Sequence, residues 1–334
     1  MTILKINLLC KSFSFAVASV LTVLVLPGFA FAAAPTTIAN KPASNQSIVI
    51  SPFLSETKIL TTDKSKDVSI NLTNNTGKTQ SFVVTALDFG SLNDSGGVLF
   101  AGKTDDKLVH KYGLASWLHL PQDHITLESG KSTKVQATIV NKTTLGPGGH
   151  YAAIIMTVDN PTNAGSQTVS VKQKISALVF ATKVGGEVYD LRLTNIQHDG
   201  DWRQLPKLIT LNFKNTGNVH IVPRGTVRLV SPSGHVISQG VVNDASAYVL
   251  PETTRQMVVQ TESVSNHGWE PGTYQLQVNY RYDGYDRFAS KTINLRYYNF
   301  TGIAFVCLMV FVLIVVGFKH QRSRSRSAAK TTAS

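Results

Sequence analysis

The sequence predicts an all-β fold: two Ig-like antiparallel β-sandwich domains in tandem, plus one C-terminal transmembrane α-helix. Three observations predict it. Apolar and polar residues alternate with period two over short segments bounded by Gly, Pro and Asn. Two sequence markers recur, in the same order, in both halves of the chain. Outside two apolar runs near its ends, the chain lacks the 3.6-residue periodicity of an amphipathic helix.

The amino end carries Lys5 and Lys11, then the apolar stretch FSFAVASVLTVLVL, then Pro27-Gly28 and Ala30-Phe31-Ala32. This is the order of a secretory signal peptide, residues 1–32, cleaved after Ala32. Its apolar stretch is about 14 residues, roughly 21 Å as a helix, too short for a ~30 Å hydrocarbon core. Cys10 precedes that stretch and so forms no lipobox. Residues 33–45 read as a flexible segment.

The first sandwich is expected over residues 46–184 and the second over 185–297. Val68, Ile70 and Leu72 alternate with polar residues, as do Val135, Ala137 and Ile139. In the second half Ile209, Leu211 and Phe213 do the same, then Tyr274, Leu276, Val278 and Tyr280, then Ile293, Leu295 and Tyr297. Asp283-Gly284 is a two-residue hairpin signal, since a type I′ turn needs positive φ at both central residues.

Two markers place these strands in copies of one plan. NLTNNTGKTQ (71–80) and NFKNTGNVHI (212–221) share Asn-Thr-Gly at the end of an alternating strand, and each is expected to turn a hairpin. Downstream, GPGGHYAAIIMTV has Pro147-Gly148 before Tyr151, and EPGTYQLQVNY has Pro271-Gly272 before Tyr274. A tyrosine near such a late corner ties loop to sandwich in immunoglobulin-like domains. The first copy carries extra residues, which fall in the polar excursion 89–113. Such an excursion is either a loop without structure or a binding loop. The join falls near Gly185-Gly186.

Phe300–Phe318, FTGIAFVCLMVFVLIVVGF, contains no charge. Nineteen residues make about 28 Å of helix, which matches a bilayer core. Its Leu, Ile, Val and Phe side chains favour insertion by roughly 4 to 8 kcal/mol. Lys319, Arg322, Arg324, Arg326 and Lys330 follow with no acid. The positive-inside rule then places the tail 319–334 in the cytoplasm and the bulk of the chain outside it.

The net charge is +12, but five positives lie in that tail and two in the leader, leaving +5 on the exported part. The basic excess is therefore mostly topogenic, and no nucleic-acid partner is expected. The remaining charge suits an anionic envelope polymer. Both cysteines, Cys10 and Cys307, lie in the apolar end segments. The exported part holds together without disulfides and needs cores large enough to do so.

Nothing in the sequence assembles a reaction. His119 and His124 are separated by Pro121, with no third ligand at usable spacing and no cysteine for structural zinc. DFGSLNDSGG lacks the spacing of a calcium loop. GPGGH lacks the Lys-Ser/Thr of a phosphate loop and precedes a strand. There is no Gly-x-Ser-x-Gly elbow and no exported thiol nucleophile. The expectation is a non-enzyme with no catalytic, cofactor or metal residues. The candidate partner-binding residues are aromatic: Trp202 and Trp269 beside turns, and Trp117, whose place on ASWLHL fits either core or contact.

A signal peptide, a first domain with ISPFLSETKILTTDKSKDVSINLTNNTGKTQSFVVTALDF and ITLESGKSTKVQATIVN, a second with LITLNFKNTGNVHIVPRGTVRLVSPSGHVI, one apolar span and a basic tail together resemble the WxL-interacting protein family of bacterial surfaces. The resemblance implies a first domain that contacts peptidoglycan, a second that contacts host or partner protein, and assembly with WxL-type surface proteins. It brings no catalytic residue. The first domain is also similar to the amino-terminal domain of periplasmic pilus chaperones, which lack a membrane anchor. The functional expectation is a membrane-anchored surface scaffold contacting peptidoglycan and partner proteins. The alternative is a membrane-tethered, chaperone-like assembly factor for exported β-rich subunits.

Overall fold

A computed structural model describes residues 47–101, 107–159, 173–266, 268, 270–298 and 300–331. The expected leader and the segment 33–45 lie outside the described residues. From residue 46 onward the chain is one unit, mostly β, with two separate apolar cores.

In the first half, β1 (Ile48–Ser51), β3 (Ser65–Asn74), β8 (Ser132–Val140) and β6 (Leu118–His119) form one sheet in the order β1-β3-β8-β6. The facing sheet runs β2-β10-β9-β4-β5, from β2 (Leu54–Ile59), β10 (Lys174–Lys183), β9 (Gly148–Val158), β4 (Gln80–Ser91) and β5 (Val98–Phe100). The strand β7 (His124–Leu127) also pairs with β4. The second half has a three-stranded sheet of β11 (Leu191–His198), β12 (Leu208–Asn215) and β15 (Thr254–Gln260). Facing it are β16 (Glu262–Ser263), β14 (Val236–Val242), β13 (Arg224–Val230), β17 (Gly272–Tyr282) and β18 (Tyr285–Tyr297), in that spatial order.

The alternating residues fill the cores. Val68, Ile70 and Leu72 of β3 and Val135, Ala137 and Ile139 of β8 are buried against Phe82 and Val84 of β4 and Ile154 and Met156 of β9. Ile209, Leu211 and Phe213 of β12 meet Leu276, Val278 and Tyr280 of β17 in the second core, where the Phe213 and Tyr280 rings pack edge-on at 5.0 Å. Each such aliphatic or aromatic side chain stabilises the fold by about 1.5 to 3 kcal/mol through burial alone.

Four expectations need correction. The sandwiches are not wholly antiparallel, because β2 pairs with β10 in parallel. The opening run switches sheets at Pro52, which has no N–H to give a ladder, and so joins the far edge beside the last strand. The Asn-Thr-Gly turns are not hairpins. Each carries the chain from one sheet to the other, since β3 and β4 belong to different sheets, as do β12 and β13. The excursion 89–113 is not a bare loop: it contains the end of β4, β5 and the helix α1 (Lys107–Lys111). The Asp283-Gly284 hairpin forms, but only Gly284 has positive φ (80°), so it is not a type I′ turn. A register shift between Tyr280 and Tyr282 takes up the extra twist.

After β18 the chain enters a second helix, α2 (Phe300–Thr331), which continues through the basic tail because that stretch has neither Pro nor Gly to stop it. Its side chains from Phe305 to Phe318 are exposed. Among the described residues no helix is long and apolar enough to cross a membrane.

Candidate functional site

The site grows out of β9. Even-numbered residues Ala152, Ile154, Met156 and Val158 face the first core, while Tyr151, Ala153 and Ile155 face away from it, yet all are buried. The outward face forms a third cluster with Phe89 of β4 and Phe180 of β10, and Tyr248 and Leu250 of the second sandwich cover it. The Phe180 ring lies 5.0 Å from Tyr151, 5.5 Å from Phe89, 5.0 Å from His220 and 4.9 Å from Tyr248. The two sandwiches are therefore joined by an aromatic knot centred on one phenylalanine.

His220 is the polar member of the knot. Its Nδ1 lies 3.3 Å from Tyr151 Oη, and its Nε2 lies 3.7 Å from Glu56 Oε1, too long for a hydrogen bond. Burial lowers the His220 pKa, against the opposing pull of the Glu56 and Asp283 carboxylates, so the ring is neutral at pH 7. Burial, reinforced by Glu56, pushes the Tyr248 phenol up to about 12. Burial also holds Tyr151 well above the usual phenol range.

The two sequence markers meet here. Gly149 N–H donates to the Asn218 carbonyl at 2.8 Å, and at Gly148 (φ +113°) the same carbonyl sits where a Cβ would have to go. Asn218 also accepts from Val188 N–H at 2.7 Å and donates to the Gly186 carbonyl at 2.9 Å. The residue after the second Asn-Thr-Gly thus docks on the Pro-Gly-Gly of the first sandwich and fixes the linker. The excursion 89–113 also contacts the second sandwich. Gln256 N–H donates to the Asp94 carbonyl at 2.6 Å. Tyr112 Oη donates to Glu252 at 3.0 Å, and Lys111 pairs with the same carboxylate.

Beside the knot a cleft of about 410 Å³ opens between the sandwiches. Leu54, Phe89, Leu178 and Phe180 floor it, and the segment Ala245–Tyr248 with Arg255 forms the opposite wall. Phe53 stands at its edge, 71% exposed. Arg255 Nη1 donates to the Tyr248 carbonyl at 2.8 Å. Burial lowers its pKa, but a guanidinium stays charged. An apolar trough of this size with one cation can take a polypeptide side chain or a small apolar molecule. Among the described residues no group of three His, Cys, Asp or Glu could hold a metal ion.

A second feature lies on the same sheet. β2 pairs with β10 only over Leu178–Lys183, whereas β9 pairs with it from Lys174. Over Lys174–Ala177 the β2 side of β10 has no strand partner among the described residues.

The sequence-predicted aromatics do not gather at this site. Trp117 ends a 3-10 turn, Ala115–Trp117, and packs half-buried against the first core with Leu118 and Leu120. Its Nε1 donates to Thr144 Oγ1 at 3.3 Å. The turn puts the neighbouring side chains of Ala115, Trp117 and Leu118 against the same core. Trp202 is 44% exposed in the β11–β12 loop, far in sequence from the cleft lining. Trp269 lies outside the described residues. Lys319, Arg322, Arg324, Arg326 and Lys330 all fall within α2. Phe180, His220, Tyr248 and Arg255 were not singled out from sequence. The available signal was the unbroken apolar run of β9, which marks a strand buried on both faces.

No family model matches the chain, and no curated protein matches it. Solved structures do resemble it. A chain from a chaperone–tip adhesin complex of CFA/I fimbriae biogenesis has a TM-score of 0.38 at 9% identity, covering 75% of this chain and 98% of that one. The YadV chaperone has a TM-score of 0.36 at 12% identity, covering 74% and 99%. A chain of the CsuC–CsuE chaperone–tip adhesion subunit pre-assembly complex from Acinetobacter baumannii has 0.36 at 12%, covering 76% and 100%. Likenesses this distant assign a role to no residue here.

Proposed function

We propose that the chain is a non-enzymatic, membrane-tethered binding protein that holds an exported β-rich polypeptide by strand addition, as an assembly factor does. The observation that carries this reading is the half-free edge of β10. Backbone N–H and C=O groups without a ladder partner are a template for another strand, and those of Lys174–Ala177 adjoin the apolar cleft. A strand laid there extends the sheet and reaches the cleft at Phe53, whose carbonyl accepts from Leu178 N–H at 2.8 Å.

The tether is α2. Its exposed Phe, Leu, Val and Ile side chains form an apolar cylinder that water does not favour, and the basic residues at its far end set the tail in the cytoplasm. Peptidoglycan fits the cleft less well, because the lining is mainly apolar and its guanidinium already serves a backbone carbonyl.

The exported part has no cysteine, so a single thiol is a clean probe. With Cys307→Ser as background, Lys174→Cys carrying a photo-crosslinker should capture an exported β-rich protein from the native envelope, WxL-type proteins included. Arg228→Cys, exposed on the other sandwich and outside the cleft lining, should capture far less. Equal capture at the two positions, or murein fragments in place of protein, would overturn the proposal.

A further inference from the structure

The loop between β11 and β12 is fastened to the root of α2. Tyr298 N–H donates to the Trp202 carbonyl at 2.8 Å, and Tyr298 stands two residues before the helix begins. The loop is held from within. Asp199 Oδ1 accepts from Lys207 N–H at 2.8 Å and Leu208 N–H at 2.9 Å. Asp201 Oδ1 accepts from Arg203 N–H at 2.7 Å and Gln204 N–H at 2.9 Å. What the loop presents is the exposed Trp202 ring with the Arg203 guanidinium 4.3 Å above it. Tyr298 is exposed beside it.

We propose that this loop is a foot on the membrane surface, with Trp202 in the interfacial layer and Arg203 among the phospholipid headgroups. This rests on the reading of α2 as the tether. The geometry then leaves the foot little choice, because a residue bonded to the backbone at the helix root sits at the level where the bilayer begins. Tryptophan favours that layer, having an apolar ring with one N–H donor, and a guanidinium beside it can pair with phosphate. The loop's two carboxylates are turned onto backbone N–H groups, which tempers their repulsion of anionic lipid. The consequence is mechanical: the second sandwich is planted on the bilayer in one orientation, and it does not swing on a stalk.

The test uses the full chain in vesicles of phosphatidylethanolamine with about one quarter phosphatidylglycerol, containing lipids brominated near the carbonyl end. Subtracting the emission of Trp202→Phe from that of the wild type isolates Trp202 from Trp117 and Trp269. The expected result is a blue-shifted difference spectrum that the brominated lipid quenches, with quenching at least halved by Arg203→Glu. If the chain floats with the vesicles and resists carbonate but the difference spectrum is unquenched, the foot is wrong and the tether stands. If the chain does not float, the tether fails and the foot with it. Unquenched emission that is also shielded from aqueous iodide would mean that protein, and not lipid, covers Trp202.

Discussion

His150 and Tyr274 make the same bond in two sandwiches. Tyr274 Oη donates to the carbonyl of Glu270, four residues back, at 2.8 Å, and His150 Nε2 bonds the carbonyl of Gly146, also four back, at 2.8 Å. A carbonyl only accepts, so the imidazole carries its proton on Nε2. Both side chains enter the core face of the strand that follows Pro-Gly. Tyr151, one residue further on, faces the opposite way and serves the junction. Removing either corner bond should cost about 0.5 to 1.5 kcal/mol. Tyr274→Phe and His150→Phe should each lower the urea midpoint accordingly, and a midpoint unchanged in either variant would show that the corner is ornamental there.

Asn74 and Asn215 are a second matched pair. Both are fully buried. Asn74 Nδ2 donates to the carbonyls of Lys78 and Leu127, both at 2.8 Å, and Asn215 Nδ2 to those of Val219 and Val249 at 2.7 and 2.9 Å. Each therefore pins the sheet-crossing turn four residues ahead and a distant stretch of backbone. The Lys78 and Val249 carbonyls keep a second donor in Thr76 Oγ1 and Ile221 N–H. Replacing either asparagine by Leu still takes the donor from its other carbonyl and the acceptor from the turn N–H of Thr76 or Gly217. That should cost about 2 to 5 kcal/mol, at roughly 1 to 3 kcal/mol per buried unsatisfied group. Asn75→Ala, at the exposed neighbour, should change stability by less than about 0.5 kcal/mol. Chemical denaturation of the three variants separates these outcomes.

These pairs show what the sequence revealed and what it withheld. Every alternating set read from period two through β17 lies in a core, because burial of one sheet face imposes that period directly. The echoes were real, but each was aligned one residue out. Matching Asn-Thr-Gly sets Asn75 against Asn215, whereas the structural counterpart is Asn74, since Asn74 and Asn215 are the residues that bond the carbonyl four residues ahead. Matching the tyrosines sets Tyr151 against Tyr274, and a one-residue slip in a strand moves a side chain to the other face. The candidate site escaped for a related reason. His220, Tyr248 and Phe180 are distant in sequence and acquire a common role only when two sandwiches dock, which no local period encodes.

Acid should loosen the molecule through its buried imidazoles. Burial depresses the pKa of both His150 and His220 below the ordinary value, so between the folded and unfolded pKa values the unfolded chain binds more protons. The stability these rings contribute is complete above the unfolded value of about 6.5 and is lost as pH falls through the folded values, each proton taken up contributing at most about 1.4 kcal/mol per pH unit. The paired carboxylates Asp190 and Glu252, whose pKa values are lowered by bonds from Thr216 and Lys111, add their loss only further down, below about pH 4.5. Melting temperature should therefore begin to fall near pH 6.5. His220→Gln should shallow that first decline and leave the acidic one in place.

Phe180 should decide whether the chain melts as one body or two. It is almost fully buried, and its ring touches partners from both sandwiches, whereas the two main cores share no residue. Phe180→Ala should cost about 3 to 5 kcal/mol as a cavity substitution, and most of that loss falls on contacts that couple the halves. The polar ties at Asn218, Glu252 and Asp94 persist, but those at Glu252 are solvent-exposed and contribute little against thermal separation. Calorimetry of the wild type should show one transition, and the variant should show two, with the second sandwich keeping its own midpoint. A variant that still melts in a single, uniformly lowered transition would mean that the linker and the Asn218 dock, and not the aromatic knot, hold the sandwiches in register.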